Sequence, residues 1–351
     1  MKVLPIIKSR KIKIGIVGCG RISKNHFEAI SEHHKDFEII AACDPVSELL
    51  SAVKKAYKIN CYTDLEEMLA SESLDIVSIC TPSGFHPHQA ALCAKSGVSV
   101  VTEKPMATRW KDGVQMVRTC DQNGVRLFVV KQTRMNPVIQ LLKQALSEGR
   151  FGKIHLVQAN VFWTRPQSYY DHGTGWRGTW EFDGGALMNQ ASHYVDLLDW
   201  LIGPVEKVQS LMSTFRNIEV EDTGVLNLKW RNGALGSMSV TMCTYPKNFE
   251  GSITVLGETG TVKIGGTALN KIEEWKFNKK CSYDRKVNSL NKSMGSKFQG
   301  HALYYKNVIN VIRGKAKPET DGREGLRSLE LLIAAYTSSR DGKLVSLPLE
   351  L

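Results

Sequence analysis

Apolar runs recur along the first 130 positions, and glycines or charged stretches separate them. The runs at 13–17, 38–43, 75–80, 98–102 and 125–130 predict strands. None alternates between apolar and polar residues, which is the pattern of strands buried on both faces of a sheet. The segments between them, 22–34, 46–57, 64–71, 86–96 and 108–123, predict helices, and Gly97 and Gly124 each close one just before the next strand. This alternation predicts a doubly wound parallel sheet with a ligand crevice at the C-terminal strand ends.

After residue 133 the rhythm changes. A helix over 136–148 leads into a strand at 154–163, and further strands are predicted over 205–215, 223–230, 234–243, 250–257 and 260–265. Several alternate in polarity, as antiparallel strands with one covered face do. Gly257 to Gly260 reads as a hairpin turn. Helices over 186–202 and near 300–313 are expected to cover this sheet. The last helix, 323–339, carries an apolar stripe through Leu326, Leu329, Leu332, Ile333 and Tyr336, and the tail 345–351 is expected to be extended. The chain thus divides into an α/β domain over 11–133 and an α+β domain over 134–351, with the C-terminal tail able to return to the first domain.

Candidate chemistry begins at Gly18-Cys19-Gly20, directly after the first strand. A strand running through a glycine turn into a helix N-terminus presents backbone N–H groups and the helix dipole to a pyrophosphate. The usual third glycine is replaced by Ser23, small enough to keep helix and sheet close. Asp44 ends the second strand, 24 residues after Gly20. A carboxylate there accepts both ribose hydroxyls of an adenosine and repels a 2′-phosphate, which favours NAD over NADP. The alternative reading is that Asp44-Pro45 merely starts a helix with Asp44 as its cap, and the two readings are compatible.

Two loops at strand C-termini are unusual in content. Thr81-Pro82-Ser83-Gly84-Phe85-His86-Pro87-His88 is polar and stiff, and Glu103-Lys104-Pro105 puts a lysine where the crevice should open. Taken alone, Lys104 reads as a surface lysine; its position favours a functional one. Pro105 is a candidate cis proline. In the second half the densest stretch is Trp180 to His193. With a helix starting at Gly184-Gly185, Asn189 and His193 are one turn apart on one face. His193 is either a structural helix histidine or a ligand of the site. No second histidine or cysteine sits at metal-ligand spacing, so no metal is expected. Trp163-Thr164-Arg165-Pro166-Gln167-Ser168-Tyr169-Tyr170-Asp171 follows a strand and combines a guanidinium, two phenols and a hydroxyl. It suits a sugar and phosphate platform, to which Arg134 and Asn136 could add.

Bulk properties narrow the class. A chain of 351 residues can bury two cores. It contains no run of 18 apolar residues, so no spanning helix is expected, and its first ten residues do not read as a signal peptide. The eight cysteines are scattered without a CxxC pair, which suits a reducing cytoplasm better than a zinc knot or disulfide scaffold. The formal charge is +11, from 46 basic and 35 acidic residues. This excess fits an anionic small substrate, a nucleic acid or a basic surface with no specific role. No nucleic-acid-binding signature accompanies it. Part of the charge is local: 271–297 holds Lys276, Lys279, Lys280, Arg285, Lys286, Lys292 and Lys297 and reads as a solvated or partly mobile loop.

The turn from Gly18 to Ser23, Asp44, Thr81-Pro82, Glu103-Lys104-Pro105 and Gly184-Gly185 with His193 stand in an order that resembles the glucose–fructose oxidoreductase and inositol dehydrogenase (Gfo/Idh/MocA) family. The resemblance covers nearly all of 11–351. It implies an N-terminal Rossmann domain followed by a C-terminal domain with a large, mostly antiparallel open sheet that serves as a subunit interface in dimers or tetramers. It implies NAD contacts from Gly18, Gly20, Arg21, Ile22, Asp44, Thr81, Pro82, His86, Glu103, Lys104 and Gln132. Substrate contacts would come from Lys104, Arg134, Arg165, Tyr169, Asn189 and His193, with Lys104 and His193 catalytic. Within the family the 165–170 stretch and the Asn189/His193 pair resemble the branch that oxidises the 3″-hydroxyl of UDP-N-acetyl-2-amino-2-deoxy-D-glucuronic acid. That branch supplies diamino-uronic sugars for bacterial surface polysaccharide such as lipopolysaccharide O-antigen, and some members reoxidise NADH with 2-oxoglutarate. The family's usual helix pair is Asp and His, and Asn189 replaces the Asp, which leaves Lys104 or His193 as the base, with Lys104 favoured. Other readings stay open: a family member acting on a free sugar or inositol, a dehydrogenase for another nucleotide sugar, or a catalytically silent NAD-binding regulator.

Overall fold

The computed structural model describes residues 6–172, 175–293 and 300–349. It divides into two units: Met1–Gln132 with Gln299–Leu326, and Thr133–Phe298 with Arg327–Leu351. The first holds six parallel strands: β1 (Ile12–Val17), β2 (Phe37–Cys43), β3 (Asn60–Tyr62), β4 (Ile76–Ile79), β5 (Ser99–Thr102) and β6 (Leu127–Val129). Their order is β3-β2-β1-β4-β5-β6, so the winding reverses at β1. Strands β4 and β5 are buried at every position, as their unbroken apolar runs require. The three-residue edge strand β3 was not expected; it lacks an apolar run and pairs on one side only.

The unit's core joins Ile12, Ile14 and Ile16 of β1 to Phe27 and Ile30 of the helix Ser23–Glu32. Tyr304, Tyr305, Val308 and Ile309 of the helix Gly300–Ile312 belong to the same core. That helix therefore packs in the first unit, not over the second sheet as the sequence suggested, and the 134–351 boundary is corrected accordingly. It is apolar on most of its faces, so its pattern announces burial without naming a partner. After it, Thr320 exchanges hydrogen bonds with Val129: N–H to carbonyl at 3.1 Å and hydroxyl to carbonyl at 2.6 Å.

The second unit holds β7 (Ile154–Phe162), β8 (Val205–Ser213), β9 (Thr223–Trp230), β10 (Leu235–Thr241), β11 (Glu250–Gly257), β12 (Gly260–Gly265), β13 (Lys271–Phe277) and β14 (Val345–Ser346). The order is β13-β12-β11-β7-β10-β9-β8-β14, and every pairing but β7 with β10 is antiparallel. One face is buried through Val157, Ala159, Val161, Met238, Val240 and Trp230. The opposite face, through Leu156, Gln158, Ser237, Asn227 and Leu211, is partly or fully exposed. The tail joins β8 as β14 and so stays with this unit, rather than returning to the first. Residues 350 and 351 lie outside the described residues.

Two further expectations are corrected. The segment 271–293 is ordered: β13 is followed by the helix Lys286–Ser293. Asn291 holds the start of β13 by accepting the Ile272 N–H at 2.7 Å and donating to its carbonyl at 2.9 Å. Asp284 accepts from Arg150 at 2.7 Å and from the Trp275 indole at 2.8 Å. Hydrogen bonds from Arg150 hold the Asp284 carboxyl down at about 2. Lysine density concealed these anchors; 294–299 lie outside the described residues. The helix expected from 186 begins only at Ser192, because Gly184 at φ +77° opens a series of turns instead.

Because the helix Gly300–Ile312 completes the first core, Ile309→Ala is expected to lower the unfolding free energy by about 2–5 kcal/mol in urea denaturation. A change below about 0.5 kcal/mol, the usual range for a surface substitution, would place Ile309 outside that core.

Candidate active site

The glycine turn is built by close contact. Gly18 has φ +88°, and a Cβ on it would lie 2.7 Å from the Thr81 nitrogen. Only glycine fits both conditions. A Cβ on Gly20 would meet nothing within 4 Å. The space over Gly20 is therefore open to a ligand, and the helix Ser23–Glu32 begins directly behind it. Asp44 is buried, and its two carboxylate oxygens accept from Cys19 N–H at 2.7 Å and Val46 N–H at 2.9 Å. The expected cap is not formed, since the next helix starts at Ser47 behind Val46 with no side-chain cap; Asp44 instead braces the turn, and each oxygen keeps a lone pair for a further donor. Arg21 is exposed and Ile22 half-buried beside the turn. These features fit a dinucleotide.

The loops after β4 and β5 are tied together by His86. Its buried ring lies 2.8 Å from the Thr81 carbonyl through Nε2 and 2.9 Å from the Pro105 carbonyl through Nδ1. Burial lowers its pKa despite both carbonyls. His86 is thus a brace between the two loops. Thr81 donates to Gln89 at 2.6 Å, and Pro82 is half-buried in the same loop. The Lys104–Pro105 peptide is cis, and Lys104 is half-buried.

Glu103 is buried and faces inward. One oxygen receives His26 at 2.9 Å and His301 at 3.2 Å, and the other receives the Lys104 N–H at 3.1 Å. Burial alone would raise this carboxyl, but the two histidines outweigh it and hold it well below the usual carboxylate range. His26 also meets Tyr305 at 2.8 Å and Ser78 at 3.0 Å. Among the described residues, His26, Glu103 and His301 form the one grouping compact enough for a cation. Both histidines spend their Nε2 on the same Glu103 oxygen, so the cluster closes on itself. Gln132 opens the short helical turn Gln132–Met135, and its Oε1 is buried with no partner among the described residues.

In the second unit, Asn189 is not on a helix with His193. It sits in the turns before Ser192, where its N–H bonds to the Gly185 carbonyl at 2.9 Å. Its side-chain amide donates to Asp183, whose other oxygen accepts from Gly178 N–H at 2.8 Å. Asp183, unassigned by the sequence, thus fixes the Asn189 amide. His193 is half-buried at the second position of the helix Ser192–Ile202.

Arg165 and Arg177 flank the Tyr169 ring, with guanidinium carbons 5.5 Å and 5.2 Å from its centroid. They also lie over Trp163 and Trp176 at 5.6 Å and 4.6 Å. Each donates to a backbone carbonyl, and neither has a carboxylate partner among the described residues. Two guanidiniums held against one phenol and without an ion-pair partner among the described residues have the chemistry to receive an anionic group. Arg177 was missed, although Trp176-Arg177 repeats the tryptophan-near-arginine pattern of 163–165. Arg134 does not share this role. It is 2% exposed and grips Asp196 with two hydrogen bonds of 2.8 Å and 2.7 Å. Its substrate assignment is corrected to a structural one.

The chain matches an oxidoreductase-family NAD-binding Rossmann fold over residues 12–131 and that family's C-terminal alpha/beta domain over residues 143–347. The chain belongs to the Gfo/Idh/MocA oxidoreductase family. The first unit of this family member is its NAD-binding domain, as the glycine turn and Asp44 required. The WlbA dehydrogenase from Bordetella pertussis, solved with NADH and UDP-GlcNAcA, is 57% identical with a TM-score of 0.96, covering 98% of this chain and 100% of that one. The WlbA dehydrogenase from Chromobacterium violaceum, solved with the same two molecules, is 57% identical with a TM-score of 0.96 over 100% of both chains. The D-apiose dehydrogenase of Paraburkholderia graminis is 28% identical across 96% of this chain and 90% of its own length. Among the described residues no helix is long and apolar enough to cross a membrane.

Two outcomes follow from this geometry. Arg134→Ala strands a buried carboxylate and is expected to cost about 3–5 kcal/mol of stability. A raised substrate KM with unchanged melting temperature would instead return Arg134 to the substrate. Asp44→Ala is expected to narrow the preference for NAD over NADP by weakening NAD, measured as the two dissociation constants. An unchanged ratio removes Asp44 from the ribose.

Proposed function

We propose that this protein oxidises the 3″-hydroxyl of UDP-N-acetyl-2-amino-2-deoxy-D-glucuronic acid with NAD, giving the 3-keto sugar nucleotide. The observation that carries this reading is the 57% identity, over the full chain, to WlbA solved with NADH and UDP-GlcNAcA. The chain's own chemistry agrees. A uronic acid on a nucleoside diphosphate is strongly anionic, and Arg165 and Arg177 are two guanidiniums without a carboxylate partner among the described residues. A free sugar such as apiose would offer them hydroxyl acceptors but no anionic group.

Gly18, Gly20 and the helix behind them would receive the pyrophosphate, and Asp44 the adenosine ribose. Arg21, Ile22, Thr81 and Pro82 line that turn and its neighbouring loop, and the Gln132 acceptor is free for a carboxamide donor. His86 and Glu103 act behind the loop that carries Lys104. NAD, when bound, accepts the hydride from the carbinol carbon. Lys104, as the neutral amine, takes the hydroxyl proton as the hydride departs. His193 hydrogen-bonds the same hydroxyl and holds it in line, and Asn189, fixed by Asp183, orients the sugar. Asn189 stands where the family's usual carboxylate would support an imidazolium, and an amide does this less well than a carboxylate, which favours Lys104 over His193 as base. The product feeds the building of diamino-uronic sugars for surface polysaccharide in the cytoplasm, and 2-oxoglutarate is a candidate acceptor for recycling NADH. The exposed sheet face, with Leu156, Val225, Leu235 and Leu211 43% to 75% exposed, is the proposed subunit interface of a dimer or tetramer.

The test is a panel of nucleotide and free sugars with NAD, with and without 2-oxoglutarate, followed by NMR of the product. A keto carbon at C3 of the UDP-uronate supports the reading; turnover of a free sugar alone sinks it. Lys104→Met is expected to abolish turnover while still binding NAD and substrate. His193→Asn should cost on the order of 10²-fold, as loss of an auxiliary proton-transfer group does. Arg165→Ala should raise substrate KM and spare NAD affinity. Near-normal Lys104→Met with a dead His193→Asn would exchange the two roles.

A further inference from the structure

The turns that carry Asn189 towards His193 are held from outside by one acidic residue 34 positions away. The Glu221 backbone carbonyl accepts the Ala186 N–H at 2.9 Å. Its side-chain Oε1 accepts the Leu187 N–H and the Tyr336 hydroxyl, each at 2.9 Å. The Tyr336 oxygen in turn accepts the Gly185 N–H at 3.3 Å. Three successive backbone donors, 185 to 187, are thus taken up by Glu221 and Tyr336. The fit leaves no room for a side chain, since a Cβ on Gly185 would lie 1.8 Å from Glu221 Oε2. This is the physical demand behind the second glycine of Gly184-Gly185.

The choice of a carboxylate is costly. Glu221 is 4% exposed, and its Oε2 is buried with no partner among the described residues. The titratable groups acting on it are Tyr336, which donates to it, and Asp222, whose charge repels it. Burial pushes its carboxyl up to about 7. A turn needing only support could use a neutral acceptor and avoid that cost. Groups that destabilise the fold in this way concentrate where function requires them.

We propose that Glu221 is a positioning residue, which with Tyr336 fixes the 185–189 turn in the arrangement that lets Asn189 and His193 engage the substrate. This rests on the reading of Asn189 and His193 as substrate residues. The ionised carboxylate is the stronger acceptor, so the turn is best held above pH 7 and loosens below it.

The test uses the full-length protein with Glu221→Gln and Tyr336→Phe. Glu221→Gln is expected to leave NAD affinity within about twofold and lower kcat/KM for the UDP-uronate at least tenfold at about pH 8. It should also remove the inflection near pH 7 expected of the parent. Tyr336→Phe, the milder change, removes a donor to the carboxylate and should move that inflection to higher pH. Stability reads the same group with opposite sign. A carboxyl raised by folding holds its proton longer than in the unfolded chain, so stability is lost as pH rises from the unfolded carboxyl range to about 7. The melting temperature of Glu221→Gln relative to the parent should therefore climb between about pH 5 and pH 8.5. A merely structural Glu221 predicts lower stability with kcat/KM and its pH profile unchanged. That result, with Asn189→Ala and His193→Asn impaired, overturns the positioning role alone. If those two variants turn over normally, the site assignment itself fails.

Discussion

The head of the first unit depends on one close approach, Gly18 against the backbone of Thr81. Around it three strand ends converge. The Gly18 N–H bonds to the Cys43 carbonyl at 2.8 Å, the Cys80 N–H to the Val17 carbonyl at 2.7 Å, and the Cys19 N–H to Asp44 at 2.7 Å. The turn cannot open without breaking bonds to both neighbouring strands. Its free N–H groups are therefore held in place before any pyrophosphate arrives, and little ordering cost is left for binding. The same reversal of winding at β1 separates β2 from β4, so Asp44 and the Thr81 loop flank the turn on either side.

Much of the first unit was legible because its signals are local. Continuous apolar runs and a left-handed glycine at Gly124 mark elements without reference to anything distant. What was not legible depends on partners. The helix Gly300–Ile312 advertises burial on most of its faces and cannot say which sheet receives it. Ala186, Leu187 and Ala191 continue the apolar spacing of the helix Ser192–Ile202, yet Gly184 and the tether to Glu221 hold that stretch as turns. In the same way, Gly18 and Asp44 were readable as parts of a tight turn from their positions after strands. Arg134 stands in a similar place, but its carboxylate partner is Asp196, 62 residues on. A guanidinium looks the same in sequence whether its anion is a ligand or the protein itself.

Both units use carboxylates to hold turns from within. Asp44 accepts from Cys19 and Val46, Asp183 from Gly178, Glu221 from Leu187, and Asp222 from Phe215 and Arg216. Each replaces a water that a buried N–H would otherwise need. Charge-assisted bonds of this kind are stronger than neutral ones, which suits turns that must not drift. Their cost is desolvation, and Glu221 shows it most clearly because no cation offsets it.

This use of acids also changes what the net charge means. Among the described residues, seven acidic side chains are buried against two basic ones. Basic side chains therefore outnumber acidic ones at the surface by more than the formal +11, while the field felt at a distance remains that of the net charge. Such a field draws anions in general and is screened by salt beyond about 10 Å at 0.1 M ionic strength. It cannot tell a nucleotide sugar from any other polyanion. Discrimination must come from groups whose direction is fixed, and Arg165 and Arg177 satisfy that condition because the Tyr169 ring holds both. In the proposed reading the diffuse excess raises the encounter rate, and Arg165 and Arg177 supply the discrimination.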